Sequence, residues 1–331
     1  MTLCQVTVFL FALLPLSLNG QDPFAWLYGL QGQRYYSDSL QTNTNGGECP
    51  DECDCPPTFP IAMYCDGRGL TVMPTVPSHV KYLYLQNNGI TAVPDSALNN
   101  ATSLVWLMMH NNQLTSEAIG KKVRFGAVML RSVAVRWCQV TPVDLEGMDN
   151  LTILYLHDNA VTDMSSSLQS LKSLTLLDIS SNKLTKVPKE LPEQLHQLYL
   201  DSNSIDSLPE DFLGHLTQLQ YIRMAHNQLT DKGIPPNTFN VTGLVELDLS
   251  FNKLERIPLV STTLQHLYLQ ANQIKEFTLG SFCSVVDVTS FSKLQTLRMD
   301  GNEISREDIP SEASLCLRQA SSIEVFNCYD S

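Results

Sequence analysis

The seven histidines and nine cysteines are the residues of this 331-residue chain that could act as acid–base groups, nucleophiles or metal ligands. The histidines are spread over separate segments without the H-E-x-x-H spacing of a zinc protease, and no G-x-S-x-G nucleophile elbow is present. A structural role for the histidines is therefore favoured. We predict no catalytic residues, no metal site, no cofactor and hence no enzymatic activity.

Four of the cysteines form the pattern C-x3-C-x-C-x9-C within residues 49–65. Tight spacing beside several prolines suits a small disulfide knot that covers the end of a following domain. A zinc site is the alternative, but the paired cysteines of zinc ribbons are absent. Further along, Cys283 and Cys316 can close a loop of about 34 residues with a disulfide, whereas Cys138 and Cys328 have no evident partner.

The chain begins with an apolar run, residues 1–20, that ends in small residues as a secretory signal peptide does. A membrane anchor is the alternative, but Pro15 interrupts the run and a polar segment follows. No later run is long and apolar enough to span a bilayer, so we predict a secreted protein without a membrane partner. The formal net charge of -13 argues against nucleic acid, whose phosphates need a basic surface.

A recurring leucine pattern must position any functional residue of this chain. Its clearest copy, LVELDLSFNKLERIP at residues 244–258, places Leu247 and Leu249 two apart, with Asn252 three residues later. This spacing indicates a strand with alternate side chains buried, and the asparagine is predicted to bond the backbone of the turn that follows. The asparagine recurs, mostly at steps of 20 to 30 residues, at Asn88, Asn112, Asn159, Asn182, Asn203, Asn227, Asn252, Asn272 and Asn302.

One such unit cannot bury its own apolar edge, so it must stack on copies of itself. The predicted fold class is an α/β-type leucine-rich repeat solenoid with a curved parallel β-sheet on its concave face, irregular convex returns and disulfide caps at both ends. A helical domain is disfavoured because the leucines do not follow a period of 3.6 residues. After the signal peptide we expect a flexible arm at 21–48, a cysteine-knot cap at 49–79, repeats at 80–304 that are degenerate at 115–148, and a C-terminal cap and tail at 305–331.

Strand residues between the buried leucines should point out of the sheet, because alternate side chains face opposite ways. A row that mixes tyrosines with charges can make apolar contacts and hydrogen bonds along an extended ligand. An ordinary polar surface without a ligand is the alternative. The predicted row consists of Tyr84, Met108, Tyr155, Asp178, Tyr199, Arg223, Asp248, Tyr268 and Arg298.

The cysteine knot, the repeats and the block FCSVVDVTSFSKLQTLRMDGNEI together resemble the small leucine-rich proteoglycans of the fibromodulin, lumican and keratocan class. That resemblance implies disulfides Cys49–Cys55 and Cys53–Cys65. It also implies a secreted extracellular-matrix protein that binds fibrillar collagen and regulates fibril assembly and diameter. A soluble recognition module that binds a growth factor or another protein ligand is the alternative. The class has regular repeats where this chain has residues 123–140, so roughly two repeats are lost or replaced there.

Individual binding residues also follow from the resemblance. The segment YIRMA, residues 221–225, is similar to a collagen-contacting strand of the family. Glu303 matches an acidic residue of a later collagen site, although Ser305 stands where relatives have a basic residue. With the row above, the candidate ligand-binding residues on the concave face are Tyr84, Tyr155, Tyr199, Tyr221, Arg223, Tyr268, Arg298 and Glu303.

Modification sites are expected on the surface of such a protein. The sequons at Asn100, Asn150 and Asn240 are candidate N-glycosylation sites, and N-glycans of this class extend to keratan sulfate. The absence of any Ser-Gly dipeptide argues against chondroitin or dermatan sulfate. Tyr35 and Tyr36 on the arm are candidate sulfotyrosines, with ordinary exposed tyrosines as the alternative.

Overall fold

The computed structural model describes most of the chain between the cysteine knot and the C-terminus. The predicted signal peptide, the arm with Tyr35 and Tyr36, and Cys138 and Cys328 lie outside the described residues. One compact unit, residues 48–330, contains every described residue. The described ranges are 49–94, 97–113, 132–134, 149–164, 168, 170–283 and 291–325.

A single parallel sheet runs through the described residues, with its strands hydrogen-bonded in chain order. Irregular returns join the strands, with short helical pieces at Asp231–Gly233, Leu279–Ser281, Arg306–Asp308 and, as helix α1, Ala313–Cys316. This confirms the predicted solenoid. The strands are β1 (Ala62–Tyr64), β2 (Tyr82–Tyr84), β3 (Trp106–Met108), β4 (Ser132–Ala134), β5 (Ile153–Tyr155), β6 (Leu176–Asp178), β7 (Gln197–Tyr199), β8 (Tyr221–Arg223), β9 (Glu246–Asp248), β10 (His266–Tyr268), β11 (Thr296–Arg298) and β12 (Ser322–Glu324).

Apart from β4, the middle residue of each three-residue strand packs into the core. Leu198, Ile222, Leu247 and Leu267 stand in register on four successive strands, and all four are fully buried. Burial of such a side chain stabilises the fold by about 1.5–3 kcal/mol. Since neighbouring strand residues face opposite ways, the first and third residues of these four strands are left on the other face of the sheet.

A buried asparagine ties each coil to the one before it. Asn252 donates from Nδ2 to the carbonyls of Leu249 and Ser250 in its own coil, at 3.0 Å each, and to that of Met224 in the preceding coil, also at 3.0 Å. Its Oδ1 accepts the Leu229 N–H of the preceding coil at 3.0 Å. The expectation that the asparagine bonds the turn after it was therefore wrong: it folds back on the turn before it.

The same arrangement recurs along the solenoid, and we call it the asparagine ladder. Each member bonds the carbonyl three residues earlier, and eight members also accept an N–H from the preceding coil: Asn88, Asn112, Asn182, Asn203, Asn227, Asn252, Asn272 and Asn302. Seven of these nine asparagines are buried, so an unpaired amide group there would be costly. The ladder consists of Asn88, Asn112, Asn159, Asn182, Asn203, Asn227, Asn252, Asn272 and Asn302.

The residue directly before each ladder asparagine has a left-handed backbone. The φ angle is 54° at both His226 and Phe251 and 75° at Gly301. A residue other than glycine pays about 1–2 kcal/mol for this conformation. The turn reverses the chain sharply enough for the next side chain to fold back, so the ladder bonds offset the strain. The rings of His226 and Phe251 also stack, with centroids 4.0 Å apart.

Disulfides lie at both ends of the sheet. Cys49 is joined to Cys55 and Cys53 to Cys65, with S–S distances of 2.09 and 2.07 Å, as the family resemblance implies. Between them, the backbone of Asp54 exchanges two hydrogen bonds of 2.8 Å with Tyr64 on the edge strand β1. The knot therefore supplies backbone hydrogen-bond partners to β1, whose edge could otherwise pair with a strand of another chain.

The C-terminal disulfide links the return after β10 to helix α1. Cys283 and Cys316 are both buried, with an S–S distance of 2.07 Å. The Cys316 carbonyl accepts the Ser292 N–H at 2.9 Å, which brings the helix against the segment leading into β11. A covalent loop of this size removes roughly 4 kcal/mol of chain entropy from the unfolded state.

The degenerate stretch contributes one strand to the sheet. Residues 132–134 form β4, which pairs with β3 and β5 and places Val133 between Leu107 and Leu154. The rest of the stretch lies outside the described residues. One strand of the sheet therefore comes from a segment whose repeat register the leucine pattern did not reveal.

The asparagine ladder predicts a large effect for a small substitution. Asn252→Ala removes four hydrogen bonds and leaves the buried Leu229 N–H without its acceptor, so the free energy of unfolding should fall by about 2–4 kcal/mol. Chemical denaturation measures the change. The neighbouring exposed Lys253, replaced by alanine, is the control. An Asn252→Ala protein as stable as the control would remove the ladder from the account of stability.

Candidate functional site

The first and third residues of the strands form a continuous face, which we call the concave face. Strand register aligns Tyr155, Asp178, Tyr199, Arg223, Asp248, Tyr268 and Arg298 in one row, each directly beside the next. Adjacent strands are about 4.8 Å apart, so a ligand that lies across the strands meets one of these side chains at each step.

At the centre of the row, Arg223 is held by its neighbours. Its Nε lies 2.8 Å from Glu246 Oε1, and its guanidinium carbon lies 5.2 Å from the centre of the Tyr199 ring. The Tyr199 hydroxyl donates to Gln197 Oε1 at 2.7 Å. The Arg223 side chain is 35% exposed and that of Glu246 only 13%. Arg223 is thus fixed through Nε, and about a third of its side chain remains exposed.

Three aspartates surround this arginine and cap backbone N–H groups at the ends of the strands. Asp201 Oδ1 accepts the Ala225 N–H at 2.7 Å, and Asp178 Oδ1 accepts the Ser180 N–H at 3.0 Å. Asp248 Oδ1 accepts the N–H and the hydroxyl of Ser250 at 2.9 and 2.6 Å.

Together with Tyr199, Arg223 and Glu246, these aspartates form what we call the central patch. Its carboxyl groups outnumber its single guanidinium, so a ligand with basic or hydroxyl groups is favoured.

The central patch shifts the titration of its own groups. Burial, followed by the negative charge of Asp248, raises the pKa of Asp201 to about 8. Burial also raises the pKa of Asp248, against the opposing hydrogen bonds from Ser250. Burial raises the pKa of Tyr199 to about 12, so its hydroxyl keeps its proton. A cationic ligand group beside Asp201 would favour the ionised carboxylate and displace a proton on binding.

Aromatic rings crowd the N-terminal end of the face. Tyr64 and Tyr84 stack with centroids 4.8 Å apart and planes 3° apart, and Phe59 stacks on Tyr82 at 5.8 Å. Tyr84 is only 9% exposed, so it offers a ligand little area despite its predicted role. Sequence reasoning missed Tyr64 and Tyr82 because it followed the third strand position and began after the knot.

At the C-terminal end, Arg298 is surrounded by acids. Its Nε lies 2.9 Å from Glu324 Oε2, and its Nη2 lies 3.2 Å from Asp300 Oδ1. Its charge is therefore largely satisfied within the protein.

The predicted position of Glu303 on the concave face was wrong. Glu303 follows ladder residue Asn302 and lies beyond the strand; its carboxylate lies 3.9 Å from Lys275, and both side chains are mostly exposed. Ser305 at the later site caps a helical turn with Asp308.

The sequons precede strands and lie off the concave face. Asn100 is six residues before β3 and Asn240 six residues before β9, so they occupy equivalent positions in their coils. Asn150 is three residues before β5. All three are exposed. Glycans at these positions would leave the strand row accessible.

Two further properties belong to the described part of the chain. Within it, no group of three or more histidine, cysteine, aspartate or glutamate side chains could hold a metal ion. None of its helices is long and apolar enough to cross a membrane.

Comparisons with known proteins find leucine-rich repeat proteins, among them fibromodulin and lumican. A family model described as Leucine rich repeat matches residues 193–254. Fibromodulin from Bos taurus is 48% identical over 302 residues, which cover 84% of this chain and 80% of the relative. Fibromodulin from Homo sapiens is 46% identical with the same coverage. Lumican from Gallus gallus is 42% identical over 303 residues, covering 84% and 88%.

Solved structures give the same fold. A chain of the octameric complex of Latrophilin 3, Unc5D and the leucine-rich repeat protein FLRT2 superposes with a TM-score of 0.72 at 28% identity, covering 84% of both chains. An internalin from Listeria monocytogenes gives a TM-score of 0.52 at 18% identity, covering 82% of this chain and 87% of the other. The second match concerns the fold alone.

The raised pKa of Asp201 predicts a pH dependence of stability. The folded protein retains a proton on Asp201 that the unfolded chain, with a pKa near 3.8, has lost. The contribution of Asp201 to the free energy of unfolding is fully present below pH 3.8. It is lost as the pH rises through about 8. Asp201→Asn retains an acceptor for the Ala225 N–H without the titration, so the variant should be more stable than the unsubstituted protein at pH 8.

Chemical denaturation at about pH 5 and pH 8 measures this effect. The fall in unfolding free energy between the two pH values should be smaller in Asp201→Asn. Asp206→Asn, at an exposed position in the same coil, is the matched control. An equal fall in all three proteins would show that Asp201 does not cause the dependence.

Proposed function

Because the chain belongs to the family of small leucine-rich proteoglycans that includes fibromodulin and lumican, we propose that it is a secreted, non-enzymatic protein of the extracellular matrix. It binds fibrillar collagen through the concave face and regulates the assembly and diameter of collagen fibrils. The unbroken row from Tyr155 to Arg298, with the central patch in its middle, is the observation that supports this site.

The shape of collagen suits such a row. Its triple helix is a rod of three extended chains with glycine at every third residue. From Tyr199 to Tyr268 the row crosses three strand spacings, or about 14 Å, without a change of register. A rod laid along the row therefore meets Tyr199, Arg223, Asp248 and Tyr268 in succession, and the flanking coils extend the contact in both directions.

The chemistry of the central patch suits the surface of that rod. The Nη groups of Arg223 can donate to backbone carbonyls or carboxylates of collagen. Asp201 and Asp248 can accept from collagen lysine, arginine or hydroxyl groups, and their burial strengthens such bonds once water is displaced. The tyrosines add apolar area with a polar end. A basic ligand is favoured because the patch has an excess of carboxyl groups.

The other parts of the chain have supporting roles in this proposal. N-glycans at Asn100, Asn150 and Asn240, extended to keratan sulfate, keep neighbouring molecules apart without covering the strand row. Sulfation of Tyr35 and Tyr36 on the arm would add a second, acidic contact for basic partners. Sequence motifs and family membership support both the glycans and the sulfation.

The central prediction concerns Arg223. Arg223→Ala should weaken binding to collagen fibrils by about 1–3 kcal/mol, or about 5- to 150-fold, because it removes the cation at the centre of the patch. Co-sedimentation with preformed fibrils measures binding, and turbidity during fibril formation measures the effect on assembly. The substitution also leaves the largely buried Glu246 without its partner, so circular dichroism must first establish that the variant is folded.

Arg256→Ala is the matched control, because it removes an exposed arginine from the return segment after β9. Lys189→Ala serves similarly on another return. Equal binding by Arg223→Ala and both controls would move the collagen site to the arm or the glycans. Loss of growth-factor binding with collagen binding intact would instead favour a soluble recognition module.

A further inference from the structure

A surface groove of about 430 Å³ lies on the N-terminal side of the sheet, away from the concave face. One wall is residues 75–78, from the segment before β2. The other wall comes from the segment before β3 and contains Asn99, Asn100 and Thr102. The groove therefore separates the corresponding parts of two successive coils, at the junction of the cysteine-knot cap and the first repeat.

Backbone hydrogen bonds hold both walls in place. The Val80 N–H donates to Pro77 O at 3.2 Å on one side, and the Ala101 N–H donates to Leu98 O at 3.1 Å on the other. Val76 and Val80 anchor the first wall in the core, with exposures of 2% and 0%. The groove is thus a property of the folded coils and not of a loose surface loop.

Asn100 and Thr102 are the first and third residues of a sequon, and both line the groove. A short hydrogen bond of 2.8 Å from the Thr102 N–H to the Asn100 carbonyl bends the chain between them. A sugar on Asn100 Nδ2 would start at the mouth of the groove. We propose that the groove seats the innermost N-acetylglucosamine of an N-glycan at Asn100, which then bridges the cap and the first repeat.

Attachment joins Asn100 Nδ2 to C1 of the sugar, with loss of one proton from the amide and departure of the lipid diphosphate of the glycosyl donor. The sugar then has an apolar surface for its ring face and hydrogen-bonding groups for its polar substituents. Its apolar ring face packs on Pro77, and its hydroxyl and acetamide groups bond the hydroxyls of the exposed Thr75 and Ser78. The bound sugar shields the first wall from solvent and so slows its opening.

The test uses the full secreted chain with Asn150→Gln and Asn240→Gln, so that Asn100 is the one remaining sequon, made in cells that produce high-mannose glycans. Endoglycosidase H leaves a single N-acetylglucosamine, whereas peptide N-glycosidase F removes every sugar and converts the asparagine to aspartate. Unglycosylated Asn100→Asp protein controls for that change of charge. Hydrogen exchange of residues 75–80 is compared in all forms.

The intact and one-sugar forms should exchange at the same rate. The sugar-free form and Asn100→Asp should exchange about fivefold faster, the factor that one net hydrogen bond supplies. Replacing Thr75 and Ser78 with alanine should remove the protection in the one-sugar form and leave the sugar-free form unchanged, because both side chains are exposed.

A chain that carries only the Asn240 glycan controls for any general effect of a sugar, since Asn240 occupies the equivalent position in its own coil. Trimming that glycan should leave the exchange of residues 75–80 unchanged. Equal exchange in the one-sugar and sugar-free forms of the Asn100 protein would overturn the proposal. So would an intact mass showing that Asn100 carries no glycan.

Discussion

The hydrogen bonds of the buried ladder asparagines are the interaction on which the rest of this structure depends. A strand of three residues has too few backbone bonds to hold its register alone, and its one buried leucine makes only a modest contribution to stability. Each asparagine adds bonds within its coil and to the preceding coil, in a place where water cannot substitute. The ladder therefore converts a set of weak strands into one sheet with a single register.

That register creates the concave face and determines its electrostatics. Arg223 meets Glu246 because β8 and β9 pair with Tyr221 opposite Glu246 and Arg223 opposite Asp248. A slip of one residue would turn these side chains into the core and the leucines out to solvent. The carboxyl groups that surround Arg223 also serve the backbone, since Asp201 and Asp248 cap N–H groups at the strand ends. The proposed binding chemistry and the fold thus depend on the same side chains.

Much of the fold could be predicted because the leucine and asparagine period is local and directly reflects stacking. The strand row followed from the alternation of side chains, and the disulfides of the knot followed from family resemblance. The left-handed backbone before each asparagine could not be predicted from the sequence pattern. His226 and Phe251 are not glycines, and the hydrogen bonds of the asparagine ladder stabilise this conformation. The Arg223–Glu246 pair was missed because its partners are 23 residues apart, yet writing out the first strand positions beside the third would have revealed it.

The position of Glu303 shows where resemblance alone misleads, since it carries a family role to a residue without locating that residue relative to the strand. The claim that collagen lies on the concave face is tested most directly by photo-cross-linking. A benzophenone amino acid at Tyr268 on the face, and separately at exposed Lys253 beyond the ladder, would be irradiated with triple-helical collagen. The account predicts cross-links from position 268 and none from position 253. Cross-links from position 253 alone would contradict it.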